Sequence, residues 1–232
     1  MTISQTLHCI IKRLAIGVVI AAPFLATSEF AQLTIYVVRH GQTDWNKEGR
    51  MQGSTDNPLN SVGREQAAAT AKALADVKLD AVYTSSHKRA RETAALFEGR
   101  APITAMDEMR ERNFGKFEGS SDKDQANVAE FKKRRFMWTD DMEGGESLEN
   151  QSKRADTAIA KIRERHKNGG AILLVGHGGI NSLMICNLLG LSPAEFAKTI
   201  NQGNDAVYRI EIPKSGTTTI WKLIPLTKLN EL

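Results

Sequence analysis

The chain is poor in cysteine, with two in 232 residues. One of them, Cys9, falls in an N-terminal segment read below as removable, which leaves Cys186 alone. A lone cysteine closes no internal disulfide, so the fold has to rest on its core. Metal-ligand spacings are missing too: there is no C-x-x-C and no H-x-x-x-H among the five histidines. A zinc site is therefore not expected, and no cofactor is implied. Glycine, proline and serine gather in no linker, and no repeat or low-complexity tract is visible, so one domain is expected. Charge of one sign is in small excess, 31 Lys and Arg against 27 Asp and Glu. A net +4 gives no case for nucleic acid, and the basic run Lys132–Arg135 reads as a solvated helix face. What remains, 41% hydrophobic and 25% charged, is the ordinary composition of a globular chain with a buried core.

Long apolar runs are also few. The first one, Leu14 to Leu25, follows Lys12 and Arg13 and ends in small residues. It is shorter than the ~20 residues that cross a bilayer. Charge, length and small-residue end together match a secretory signal peptide, with cleavage after Ser28 and Ala31 as the alternative. A periplasmic or secreted protein is the expectation, with no stable membrane insertion after removal. A gene start placed too far upstream, with a cytoplasmic protein beginning near Leu33, is the competing reading. Removal leaves 29 basic against 27 acidic side chains, or +2.

From residue 33 the pattern alternates. "LTIYVV" (33–38), "LDAVYTS" (79–85) and "AILLVG" (171–176) are short β-branched runs ended by turn residues, and read as buried strands. A further short strand is expected in "APITAMDEM". Helices are expected from about Ser61, its N-cap, to Ala75, and over "SHKRARETAALFEG" up to Gly99. Others are expected over "ANVAEFKKRRFMW", from "ESLENQ" to Gly169-Gly170, over "GINSLMICNLLG", and after Ser192. "DAVYRIEI" and "TTTIWKLIPL" read as two strands joined by a turn. Strands alternating with helices predict a single three-layer α/β/α domain over residues 33–225, with a mostly parallel central sheet.

Ligands of such sheets sit beyond the carboxyl ends of the strands. The first strand runs into Arg39-His40-Gly41, the second into Ser85-Ser86 with Arg89 a turn later, and the third into His177-Gly178-Gly179. If the strands are parallel neighbours, two histidines and two arginines converge, with Asn46 adding an amide. That is a pocket for a tetrahedral anion, because arginine forks bind phosphate oxygens in pairs. A neutral imidazole there can accept a phosphoryl group. A proton donor for the leaving oxygen is then needed, and "DEMRERNFGKFEG" supplies several acids.

Five blocks in this order, "VRHGQTDWN", "TSSHKRARETA", "MRERNFGKFEG", "GGES" and "VGHGG", resemble the histidine phosphatase superfamily in its phosphoglycerate-mutase-like branch. The resemblance implies that His40 is the nucleophile. It implies that Arg39, Arg89 and His177 clamp the phosphoryl group with help from Asn46. Glu111 becomes the acid, ahead of Asp107, Glu108 and Glu118, and Gln52 and Gly53 lie along the substrate. His87 and His166 are expected at the surface. The activity implied is hydrolysis of a small phosphorylated metabolite. A cofactor-dependent mutase and a non-catalytic phosphate-binding module are the alternatives. The stretch from Gly119 to Gly144 is short for the mutases, and "HGGI" stands where they usually carry "HGNS". A homodimer is left open.

Overall fold

The computed structural model describes residues 31–121, 123–192 and 202–223. Strands β1 (Ala31–Arg39), β2 (Ala81–Ser85), β3 (Ile103–Met106), β4 (Gly170–Gly176), β5 (Val207–Pro213) and β6 (Thr219–Leu223) form one sheet in the order β3-β2-β4-β1-β5-β6. β3, β2, β4 and β1 are parallel, while β5 and β6 add on antiparallel. The mostly parallel sheet expected from the sequence is therefore present, with the two C-terminal strands as its antiparallel side.

Alternation along β1 divides the core. Leu33, Ile35 and Val37 point to one face, where Ile172 and Leu174 of β4 join them beneath α5 (Leu148–Arg165) and α6 (Gly178–Leu189). Tyr36 and Val38 point to the other, with Leu173, Val175 and Val82, beneath α2 (Ser61–Ala73) and α3 (Lys88–Ala94). These strands are covered on both faces, which is why they read as continuous apolar runs rather than alternating ones. Ile172, Leu173 and Leu174 have no exposed surface, and each contributes about 1.5–3 kcal/mol of burial.

Register places the site. Arg39 pairs with Gly176, and Thr84 lies opposite Val175, so β1, β4 and β2 end at one level. The residues that follow, His40, His177 and Ser85-Ser86, thus meet at one edge of the sheet. Over that edge lie a short helix α1 (Asp44–Lys47) and α4 (Gln125–Arg134). Phe131 of α4 packs with Phe117 and Met142 as a small separate core, against Met51 and Phe114.

Element ends differ from the sequence reading in local ways. The N-cap of α2 is Asn60, not Ser61: its side chain accepts from the Gly63 N–H at 2.8 Å, and its own N–H reaches the Gln42 carbonyl. That helix ends at Ala73. The helix before Gly169 ends at Arg165, because Gly170 already pairs with Leu33 as the start of β4. The expected helix after Ser192 and the N-terminal signal segment lie outside the described residues.

Candidate active site

His40 follows β1 directly, and its N–H still donates to the Gly176 carbonyl at 3.0 Å. The side chain is 2% exposed. Its Nδ1 lies 2.7 Å from the Gly41 carbonyl oxygen. A carbonyl can only accept, so Nδ1 carries the proton and Nε2 holds the lone pair of the neutral ring. Burial, then Arg39 and Arg89, hold the His40 pKa well below its ordinary value. The imidazole is therefore neutral, and one hydrogen bond defines Nε2 as the nitrogen with the lone pair. The turn after it is backbone against backbone. A Cβ on Gly41 would fall 2.2 Å from the Gly63 carbonyl oxygen, and a Cβ on Gly63 would fall 2.0 Å from that of Gln42.

Arg89 enters from the first turn of α3 and is 1% exposed. Its Nη1 donates to the Thr55 carbonyl at 2.7 Å and its Nη2 to that of Gly53 at 2.8 Å. Burial brings its pKa down to about 10, so it is cationic at neutral pH. Nε donates to Nδ1 of His177 at 3.2 Å, which places the His177 proton on Nε2, 2.8 Å from Ser85 Oγ. Arg39 is anchored by a 2.8 Å bond from Nη1 to the Gln202 carbonyl.

A cavity of about 330 Å³ opens here, lined by Arg39, His40, Asn46, Gln52, Gly53, Arg89 and Glu111, among others. Seven of the eight residues singled out from the sequence thus share one cavity. Asn46 gives its side-chain oxygen to Thr43 as a helix cap, which turns its amide nitrogen into the group on offer. His177 is not in the lining. It stands behind His40, ring centroids 5.0 Å apart, with both nitrogens engaged, and burial holds it neutral. In this geometry it orients Arg89 rather than facing the cavity.

The acids of the third block separate clearly. Glu111 lines the cavity; Oε1 accepts from Gln151 Nε2 at 2.8 Å and from the Arg112 N–H at 2.9 Å, and Oε2 from the Gly179 N–H at 2.9 Å. Glu118 is spent on the loop of Ser54 and Thr55, accepting from both hydroxyls and from the Ser54 N–H. Glu108 pairs with Lys161, and Asp107 accepts from Ser86.

Two expectations are corrected. His87 is not a surface residue: it is 7% exposed, its ring centroid 5.1 Å from that of His177, and burial drops its pKa to about 4. It sits between β2 and α3, where the chain turns into the core. His166 is half-buried at the C-cap of α5, its Nε2 2.9 Å from the Tyr83 hydroxyl. The solvated face holds for Lys132, Lys133 and Arg135, which are exposed, and fails at Arg134. Arg134 pairs with Glu130, Asp140 and Glu143, and Arg135 lines the cavity. Arg50, Arg112, Phe114 and Phe136 line it as well, and sequence reasoning did not single them out.

A buried neutral imidazole between arginines, at the carboxyl ends of parallel strands and beside one carboxyl group, defines an enzyme that handles phosphoryl groups. The chain matches the model of the histidine phosphatase superfamily (branch 1) over residues 35–222, and it belongs to that family. Phosphoglycerate mutase-like protein 4 of Arabidopsis thaliana is 36% identical over 154 residues, 63% of this chain and 66% of that protein. A metal-independent phosphoserine phosphatase of the same plant is 32% identical over 186 residues, 75% of each chain. The structure of the alpha-ribazole phosphatase from Shigella flexneri superposes with a TM-score of 0.71 at 29% identity, covering 81% of this chain and 94% of that one. Family and relatives place the chain among the phosphoric monoester hydrolases.

Proposed function

We propose that the protein hydrolyses small phosphomonoesters in two steps through a phosphohistidine on Nε2 of His40. In the first step Nε2 attacks phosphorus, the bond to the leaving oxygen breaks, and Glu111 gives that oxygen its proton. Arg39 and Arg89 neutralise the charge on the transferring oxygens, and Asn46 donates an amide hydrogen to them. In the second step Glu111 takes a proton from water, the water oxygen bonds to phosphorus, and the P–N bond breaks. Inorganic phosphate leaves and His40 is again neutral.

The observation that carries this reading is the 2.7 Å contact of His40 Nδ1 with the Gly41 carbonyl, which fixes the tautomer with the lone pair on Nε2. The experiment is phosphate release by His40→Ala beside the wild type. Turnover should vanish while the thermal midpoint stays close to that of the wild type. Wild-type turnover in the variant would end the mechanism. Export is a separate proposal, resting on the apolar run after Lys12 and Arg13. An N-terminal sequence of the purified protein starting near Glu29, in an extracytoplasmic fraction, is its expected result. A start at Met1 in the cytosol would refute it.

A further inference from the structure

The buried stripe of α5 runs through Leu148, Ala155, Ala158, Ile159 and Ile162, and a polar residue, Gln151, stands in it. Gln151 is 1% exposed. A buried amide costs free energy unless it is hydrogen-bonded. Among the described residues its side chain makes one hydrogen bond, from Nε2 to Glu111 Oε1 at 2.8 Å, on the wall of the cavity. An apolar side chain would fill this place in the stripe without that requirement. What the amide adds is a contact with the acid.

Nearly one turn further along α5, Arg154 holds the backbone that carries Glu111. Its Nη1 donates to the carbonyls of Glu108 and Arg110 at 2.8 and 3.0 Å, and Glu146 accepts from its Nε and Nη2 at 2.6 Å each. Residues three apart share a helix face. So α5 grips the acid segment twice, by its backbone through Arg154 and by the carboxyl group through Gln151.

The donors are divided unevenly between the two oxygens of Glu111. Oε1 accepts from Gln151 and from the Arg112 N–H at 2.9 Å, whereas Oε2 accepts from the Gly179 N–H at 2.9 Å. Each carboxylate oxygen has two lone-pair sites. Both sites of Oε1 are filled, and Oε2 keeps one in hand. Two of the three donors are backbone groups fixed by the fold, so Gln151 is the side chain that closes Oε1.

We propose that Gln151 is a positioning residue that makes Oε2 the oxygen of Glu111 that gives and takes the proton. The inference rests on the two-step reading above. In the first step the O–H bond at Oε2 breaks, its proton passes to the leaving oxygen, and Glu111 is left as a carboxylate. In the second step Oε2 takes a proton from the water whose oxygen bonds to phosphorus. Without Gln151, Oε1 competes for the proton and the carboxyl group loses one of its three anchors.

Gln151→Met keeps the length of the side chain and removes the donor. Rapid-quench kinetics read phosphoenzyme formation and breakdown separately, with an alkyl phosphate and with para-nitrophenyl phosphate. Formation from the alkyl phosphate should fall at least about tenfold, while formation from the nitrophenyl ester stays within about twofold, because its leaving oxygen hardly needs a proton. Breakdown should slow as well, so the nitrophenyl ester should give a burst of nitrophenol followed by slow turnover. Gln151→Asn, whose amide is one methylene too short, should show the same split and carries the test if Gln151→Met fails to fold. Equal losses of formation rate for the two esters, or no loss with either, would overturn the role of Gln151. The absence of any phosphoenzyme in the wild type would instead overturn the two-step reading.

Discussion

Glu111 is tied to the first turn of α6 by a 2.9 Å hydrogen bond from the Gly179 N–H to its Oε2. This joins Glu111 to the strand-helix turn that also carries His177, and a side chain at 179 would push on the carboxyl group. A Cβ at 179 would fall 2.6 Å from Glu111 Oε1 and 3.1 Å from Gln151 Nε2.

Gly179→Ala is therefore expected to displace the carboxyl group with little effect on folding. Alanine is favoured over glycine in a helix by about 1 kcal/mol, which offsets part of the crowding. Hydrolysis of alkyl phosphates should fall at least about tenfold, since ångström misplacement of a reacting group has that size of effect. Thermal unfolding beside steady-state kinetics checks both halves; an unchanged rate would mean that Glu111 needs no such placement.

Glu111→Gln should separate substrates by their leaving groups. Alkyl phosphates should lose about 10²–10⁴-fold in the first step, the usual contribution of a positioned acid. Para-nitrophenyl phosphate should lose far less, because its leaving oxygen hardly needs a proton. Rapid-quench measurement of phosphoenzyme formation reads that step alone. Equal losses for the two substrates would remove Glu111 from the acid role, and with Glu118 and Glu108 engaged elsewhere no other acid of the block would replace it.

Much of this site could be read from one sequence, for a physical reason. A strand buried on both faces is a short apolar run, and the residues just after it must sit at the sheet edge, so Arg39, His40 and His177 announce themselves. Residues whose roles depend on three-dimensional neighbours do not. Arg135 looks like its exposed neighbours Lys132 and Lys133, and only the path of the chain after α4 brings it to the cavity. His87 is flanked by polar residues, and its burial follows from the turn between β2 and α3. Asn60 outcompetes Ser61 as a cap because the Gln42 carbonyl already holds its backbone. Motif position favours Glu111, and the structure adds why Glu118 is unsuited: its carboxylate builds the loop of Ser54 and Thr55.

Buried neutral histidines should make the fold sensitive to acid. His87 has a folded pKa of about 4, below its ordinary 6.5. The unfolded chain therefore takes up this proton first as pH falls. The stabilising difference is complete above 6.5 and is lost progressively from there down to about 4, at up to about 1.4 kcal/mol per pH unit. His40 and His177 are shifted in the same direction. His87→Leu should flatten the slope by one proton over that window, in chemical denaturation at a series of pH values. An unchanged slope would show that His87 is charged in the folded protein.

The central claim is that His40 carries the phosphoryl group on Nε2, and the direct measurement is to find it there. The enzyme is mixed with para-nitrophenyl phosphate and quenched in alkali during turnover, where phosphohistidine survives. The modified peptide is then sequenced by mass spectrometry, and the ring isomer is assigned by phosphorus NMR. The account predicts one phosphoryl group, on His40, attached at Nε2 and absent from His40→Ala. A phosphoryl group on another residue, or on Nδ1 of His40, would contradict it.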